Sequence, residues 1–170
     1  LLGSGGQGEV YKVQYKGKDY ALKWYFSDSA TSEQKKIILD LISKKSPNEN
    51  FLWPISLIES NQHNSFGYIM DLRTKEYNGI VDLMKTKCSP SFYNLATVGF
   101  QTSDSFLQLH TRGLCYKDIS FGNLFFNPNT GDVKICDNDN VTPDASNFSG
   151  VLGTPKFMAP EIVRGESKPS

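Results

Sequence analysis

The chain has 170 residues, which suits one domain or a fragment of a larger one, and its 38% of apolar residues is enough for a sizeable core. Its 18 basic and 18 acidic residues cancel, which argues against a nucleic-acid-binding module or attachment to an anionic membrane. No apolar run is long enough to span a bilayer, so we expect no membrane contact from this segment.

Three cysteines lie far apart in the sequence, at Cys88, Cys115 and Cys136, and none forms a C-x-x-C pair. This pattern argues against a disulfide framework and a zinc site, and it favours a reducing, cytoplasmic location. The sequence opens on Leu1-Leu2-Gly3 without a basic and apolar leader, and because it starts inside a motif we expect a domain excised from a longer protein, which could carry a membrane segment elsewhere. The oligomeric state is left open.

A glycine-rich segment begins the chain, with the pattern G-x-G-x-x-G-x-V from Gly3 to Val10. Residues 10–15 are predicted to form a strand, whereas a dinucleotide-binding fold requires a helix after this pattern. Glycines between two strands let backbone amides approach phosphate groups, because no Cβ intervenes. A plain hairpin turn is the alternative interpretation.

A second strand is predicted over residues 19–26, and it contains Ala21-Leu22-Lys23. A strand lysine near bound phosphates contributes a point charge on a long stem, and an ordinary solvated lysine is the alternative. Residues 27–45 are predicted to form a helix, with Ser29 or Thr31 as its cap and Glu33 in its first turn.

Two further strands are predicted over residues 53–59 and 66–71, joined by a polar turn. Asp82 suits either a contact to a ribose or the cap of a helix. Apolar residues at helical spacing predict a long helix over residues 92–112, which ends at Gly113.

A polar loop follows this helix and places Asp118 five positions before Asn123. The strands 124–126 and 133–135 then form a predicted hairpin, which brings Asp137 back towards Asn123. Two acids and an amide can hold a divalent metal through oxygen atoms and leave one carboxylate as a base. Ordinary turn polarity is the alternative interpretation of these three residues.

These motifs, together with G-T-P-K-F-M-A-P-E over residues 153–161, resemble those of the eukaryotic-type Ser/Thr protein kinase family in their order. The resemblance implies an α+β, bilobal protein-kinase-like fold with an antiparallel five-stranded N-lobe and one helix. We expect the N-lobe at about residues 1–70, a hinge at about 71–75, and a truncated, mostly helical C-lobe at about 76–170.

The resemblance also implies roles for individual residues. Catalytic roles fall to Asp118 as the base, to Lys23 on the phosphates and to Ser120, while Asn123 and Asp137 hold the metal. Glu33 would hold Lys23, Met70 would be the gatekeeper, and the backbones of Asp71 and Arg73 would face adenine. The remaining residues implied to bind ATP are Leu2, Gly3, Ser4, Gly5, Gly6, Gln7, Gly8, Val10 and Ala21.

The implied reaction transfers the γ-phosphoryl group of ATP, with Mg²⁺ or alternatively Mn²⁺, to a Ser or Thr hydroxyl of a protein substrate. One alternative is a pseudokinase that binds nucleotide or acts as a scaffold. Another is a small-molecule phosphotransferase of the aminoglycoside-kinase type, against which the A-P-E segment argues because it forms a peptide-docking platform.

The chain departs from the family pattern at four places: Tyr116 and Lys117 replace the His and Arg of H-R-D, Ser120 replaces a lysine, and D-N-D replaces D-F-G at residues 137–139. Serine at position 120 resembles the RIO-type atypical kinases. Loss of the apolar residue after Asp137 predicts an activation segment that switches less. Four hydroxyl residues are candidates for phosphorylation there: Thr142, Ser146, Ser149 and Thr154.

Overall fold

The computed structural model describes residues 1–60, 62–143 and 153–166. The chain forms two compact units, each of which is described by itself. Unit 1 comprises residues 1–46 and 52–73, and unit 2 comprises residues 47–51 and 74–170. None of the helices among the described residues is long and apolar enough to cross a membrane.

Unit 1 is built on a five-stranded antiparallel sheet, as the family resemblance implies. Its strand order is β1-β2-β3-β5-β4. The turn between the second and third strands uses Lys16 and Gly17 at φ values of 49° and 78°, which is typical of a tight two-residue hairpin. The five strands are β1 (Gly3–Ser4), β2 (Gly8–Tyr15), β3 (Lys18–Tyr25), β4 (Ser56–Glu59) and β5 (Phe66–Asp71).

Helix α1 spans Ser32–Lys44 and packs against this sheet. It begins later than predicted because Thr31 caps it: the Thr31 backbone is extended, and its hydroxyl accepts a hydrogen bond from the Gln34 amide at 3.1 Å. Ile38 and Leu41 are buried, and the Trp53 indole donates to the Leu41 carbonyl at 2.8 Å. The helix is therefore fixed to unit 1 by both apolar packing and a hydrogen bond.

Unit 2 combines short helices and strands with one long helix, α3, over Phe92–His110. Gly113 follows it at a φ of 66°, in agreement with the predicted helix end. The predicted hairpin is also present, and its strands join a third strand in a sheet of order β6-β8-β9. The remaining elements are α2 (Ile80–Met84), α4 (Pro160–Val163), β6 (Asn78–Gly79), β7 (Leu114–Tyr116), β8 (Leu124–Phe126), β9 (Val133–Ile135) and β10 (Val141–Pro143).

Two contacts explain how unit 2 holds these elements. Val98 of α3 packs with Phe126 and Val133 of the hairpin in a buried apolar cluster. Asp82 accepts a hydrogen bond from the Gly79 amide at 3.2 Å, so it caps α2. Helix capping was one of the two roles predicted for this residue. The cluster anchors the hairpin, and Asn123 and Asp137 flank its two strands at the open end.

The glycines of the first loop differ in the space that is available for a side chain. A Cβ at Gly8 would lie 2.2 Å from the Trp24 carbonyl oxygen, whereas a Cβ at Gly6 would meet nothing within 4 Å. We therefore expect Gly8→Ala to lower the free energy of unfolding by about 2 kcal/mol, because the pairing of β2 with β3 must shift. We expect Gly6→Ala to change it by less than about 0.5 kcal/mol.

Urea unfolding of the two variants beside the native protein checks this prediction. Equal stability of Gly8→Ala and Gly6→Ala would contradict the close approach at Gly8.

Candidate functional site

The glycine-rich loop of unit 1 is a tight turn with an open outer surface. The Gly5 amide donates to the Gly8 carbonyl at 2.9 Å, and the Leu2 amide donates to the Val10 carbonyl at 2.7 Å. Residues 1–6 are exposed, and a Cβ at Gly3, Gly5 or Gly6 would meet open space. Packing within unit 1 therefore does not require glycine at these three positions, which leaves room for a ligand to approach the backbone.

One buried face of the sheet brings together three of the predicted nucleotide residues. Ala21 and Lys23 point to the same face of β3, and Met70 on β5 pairs directly with Ala21. Their exposed fractions are only 4%, 6% and 6%. Lys23 is therefore not an ordinary solvated lysine, which was the alternative interpretation.

The two predicted hinge residues lie at the end of this sheet and beyond it. Asp71 ends β5, and its side chain is exposed and pairs with Lys18 at 2.8 Å. That hydrogen bond and the charge of Asp71 raise the pKa of Lys18. Arg73 follows β5 and is partly buried. The side chain of Asp71 is thus engaged on the surface, which leaves only its backbone for the predicted contact with adenine.

The structure does not support the predicted role of Glu33 as the partner of Lys23. Glu33 is exposed in the first turn of α1, about 100° around the helix from its neighbour Gln34. Gln34 lies on the face that carries Ile38, and its side-chain amide donates to the hydroxyl of Tyr25 at 3.1 Å. The residue that connects α1 to β3 is therefore a glutamine, which sequence reasoning missed because it considered only acids.

In unit 2, the carboxylate of Asp118 is held by hydrogen bonds from two side chains. The Asn123 amide donates to the Asp118 backbone carbonyl at 2.8 Å and to its Oδ2 at 3.2 Å. The Thr154 hydroxyl donates to Oδ1 at 3.1 Å. Thr154 had been predicted as a phosphorylation position, and the structure gives it a direct contact with the candidate base.

Asp137 follows β9 and is next in the chain to a hydrogen bond that joins the residue before β8 to the residue after β9. The Cys136 amide donates to the Asn123 carbonyl at 2.8 Å. Asp137 itself has a left-handed backbone at φ 51° and ψ 44°, which is unusual for a residue other than glycine. The backbones that carry Asn123 and Asp137 are thus tied together, as the hairpin predicted.

The donor set of unit 2 fits Mg²⁺ rather than zinc. Among the described residues, no group of three or more His, Cys, Asp and Glu side chains could hold a metal ion. Mg²⁺ usually keeps several waters and binds one or two carboxylates together with phosphate oxygens. The carboxylate of Asp137 and the amide oxygen of Asn123 suit this requirement, since the Asn123 nitrogen is already used by Asp118.

Tyr116, at the position of the family's histidine, contacts the backbone just before Asp137. Its hydroxyl donates to the Cys136 carbonyl at 2.5 Å, and its ring packs against Phe106. Burial raises the pKa of Tyr116 well above its ordinary value, and the charges of Asp137 and Asp118 add to the effect. The phenol therefore remains a hydrogen-bond donor at neutral pH.

The residues after Asp137 are polar and buried. Asn138 is completely buried, and its side-chain amide donates to the Ile135 carbonyl at 2.9 Å. Asp139 is 2% exposed in the same short turn. The position that the family fills with an apolar ring is therefore held by a directional hydrogen bond.

The hydroxyl residues of this segment that were predicted to be phosphorylated differ in how the structure places them. Thr142 is 3% exposed and pairs with Cys115 across β10 and β7, so the structure contradicts its role as an accessible phosphorylation position. Ser146 and Ser149 lie outside the described residues. Ser120 is partly buried in the loop after Asp118, and its carbonyl accepts from the Asn123 amide at 3.2 Å.

Comparison with known proteins adds an independent finding. A family model described as protein kinase domain matches residues 1–170. A probable LIM domain-containing serine/threonine-protein kinase of Dictyostelium discoideum is 24% identical over 97% of this chain and 26% of that protein. A putative serine/threonine-protein kinase/receptor of Acanthamoeba polyphaga mimivirus is 23% identical over 98% of this chain and 10% of that protein.

A third relative matches a shorter stretch more closely. The probable serine/threonine-protein kinase WNK8 of Oryza sativa subsp. japonica is 41% identical over 56 residues, which is 32% of this chain and 9% of that protein. The chain therefore spans about a quarter or less of the length of these curated relatives.

The raised pKa of Tyr116 predicts a specific dependence of stability on pH. The unfolded chain releases this phenolic proton near pH 10.0, whereas the folded chain holds it to higher pH. The contribution of Tyr116 to stability is therefore complete below about pH 10 and decreases as the pH rises further. We expect Tyr116→Phe to remove this part of the alkaline loss, and to cost about 1 kcal/mol at neutral pH through the missing hydrogen bond.

Urea unfolding at neutral and alkaline pH measures both effects. Tyr93→Phe is the matched control because the Tyr93 ring is 77% exposed. An alkaline loss in Tyr116→Phe as steep as in the native protein would contradict the prediction.

Proposed function

This chain belongs to the protein kinase domain family, and from that premise we propose that it transfers the γ-phosphoryl group of Mg-ATP to Ser or Thr hydroxyls of a protein substrate. The single observation that carries the proposal is the restrained carboxylate of Asp118, with Asn123 on one oxygen and Thr154 on the other. A base for phosphoryl transfer needs this kind of fixed position, because catalysis of this reaction is mostly positioning and charge neutralisation.

Asp118 would orient the attacking hydroxyl and accept its proton. A carboxylate has about four acceptor positions on its two oxygens, and the contacts with Asn123 and Thr154 use one on each. Each oxygen therefore keeps an acceptor position for the substrate hydroxyl. Ser120, two residues further along the loop, would add a hydroxyl donor beside the transferred phosphate in place of the lysine that most Ser/Thr kinases have.

Asn123 and Asp137 would hold Mg²⁺, or Mn²⁺ as an alternative, and the bound ion would neutralise charge on the phosphoryl oxygens. The hydrogen bond from Cys136 to the Asn123 carbonyl supports this assignment, because it ties together the backbones that carry both ligands. Tyr116 would keep Asp137 in place by holding the Cys136 carbonyl.

Unit 1 would bind the nucleotide. Lys23 would pair with the α and β phosphates, and the backbone amides of residues 3–8 would cover them. Met70 would lie beside the adenine ring as gatekeeper, and the backbones of Asp71 and Arg73 would face its edge. The burial of Lys23 and Met70 on one face of the sheet supports this assignment, as does the open surface of the glycine-rich loop.

The choice of Ser or Thr over Tyr rests on the G-T-P sequence around Thr154 and on the similarity to serine/threonine-protein kinases. A cytoplasmic location is part of the proposal and rests on the three widely spaced cysteines, which form no disulfide in the described part of the chain.

A pseudokinase is the second candidate, and the burial of polar Asn138 favours it. This residue replaces the apolar ring whose packing sets the active state in the family. Such a protein would bind nucleotide without transferring phosphate.

The test measures transfer of labelled γ-phosphate to protein by the full-length protein with Mg-ATP, beside Asp118→Asn and Asp137→Asn. We expect each variant to lose at least about a hundredfold in rate, since one removes the base and the other a metal ligand. Asp28→Asn is the matched control because Asp28 is exposed on a loop of unit 1. Phosphoamino-acid analysis then distinguishes Ser and Thr from Tyr.

Retained transfer in Asp118→Asn would rule out the assigned base. Binding of ATP with no transfer by the native protein would establish the pseudokinase, and transfer to a small molecule alone would establish the small-molecule phosphotransferase.

A further inference from the structure

We propose that Tyr25 and Gln34 are positioning residues for Lys23. The Tyr25 ring contacts the lysine, and the neutral side chain of Gln34 holds the ring through a hydrogen bond. The inference rests on the proposed function, because it names what holds Lys23 where ATP phosphates would meet it. It concerns two residues on which the sequence analysis placed no functional role.

The first step is the contact between Lys23 and Tyr25. These residues lie two apart on β3 and therefore point to the same face of the sheet. The Lys23 ammonium lies 5.6 Å from the centroid of the Tyr25 ring, within the range of a cation–π contact. Their exposed fractions are 6% and 1%, and such contacts are strongest when they are removed from water.

The second step is that the Tyr25 ring is itself fixed. The rings of Phe66 and Tyr68 lie with their centroids at 5.2 Å and 6.2 Å from it. The Ser65 hydroxyl donates to the Tyr25 carbonyl at 2.6 Å. A lysine side chain has a flexible four-carbon stem, so contact with an immobile ring restricts where its amino group can lie.

The third step is the connection to α1. The Gln34 side-chain amide donates to the Tyr25 hydroxyl at 3.1 Å, and Ile38, one turn further along, is completely buried. The side chain of Gln34 carries no charge. The position of α1 is therefore transmitted to the tyrosine ring, and through the ring to Lys23, by a hydrogen bond that salt screens little.

The experiment combines two readouts that respond to different parts of the proposal. Proton NMR of lysine-labelled protein reports the ring-current shift of the ε-methylene protons of Lys23, assigned by comparison with Lys23→Arg. Titration with Mg-ATP reports nucleotide affinity. The ring-current shift tests the contact between Lys23 and Tyr25, and the titration tests whether that contact matters for nucleotide binding.

We expect an upfield shift in the native protein that disappears in Tyr25→Leu, together with ATP binding weaker by about tenfold. Tyr25→Phe keeps the ring and serves where Tyr25→Leu does not fold. Tyr25→Phe and Gln34→Leu remove the same hydrogen bond, so we expect each to weaken ATP binding by about threefold and the double variant to be no worse than either. Lys36→Gln, on the exposed side of α1, is the control.

Three results would overturn the proposal: no ring-current shift on Lys23 in the native protein, additive losses in the double variant, or a loss of affinity in Glu33→Gln without one in Gln34→Leu. The expected ring-current shift on Lys23 in a native protein that does not bind Mg-ATP would instead overturn the proposed nucleotide site. The positioning role would then fall with it, while the contact between Lys23 and Tyr25 would stand.

Discussion

The side-chain amide of Asn123 is the contact on which the candidate site of unit 2 depends. Its nitrogen donates to both the backbone carbonyl and the carboxylate of Asp118, and the backbone carbonyl of Asn123 accepts from the Cys136 amide. One residue thus joins the loop before the hairpin to the segment after it. Because the nitrogen is used in this way, the side-chain oxygen remains as the group that can face a cation.

Unit 1 solves a different problem, which is to hold a buried lysine in place. Lys23 lies on a face that also carries the Tyr25 ring, and β5 supplies the neighbouring Tyr68 and Met70. The regular pairing of β3 with β5 sets these positions, so the geometry of this buried face follows from the sheet.

The strands, the long helix and the hairpin could be predicted from sequence because each depends on local patterns. The ends of α1 and the role of Glu33 could not, since they depend on which face of the helix the sheet covers. A shift of one residue around a helix moves a side chain by about 100°. The contact between Thr154 and Asp118 was also beyond local reasoning, because 36 residues separate the partners.

The segment after Asp137 shows why replacing an apolar ring by asparagine matters physically. Asn138 gains one hydrogen bond to Ile135, about 1 kcal/mol, but its buried side-chain oxygen has no hydrogen-bond partner in the described part of the chain, which costs about 1–3 kcal/mol. The left-handed backbone of Asp137 adds a further cost. This local arrangement is therefore unfavourable by itself, and the surrounding structure must hold it.

The contacts that hold this segment are directional. Tyr116 donates to the Cys136 carbonyl just before Asp137, and Asn138, just after Asp137, donates to the Ile135 carbonyl. An apolar ring makes no directional contact, whereas the buried Asn138 amide would lose, on moving, the one hydrogen bond that its side chain makes among the described residues. The chain therefore favours a single orientation of Asp137, which is the physical basis for expecting a segment that switches less than those with an apolar residue at this position.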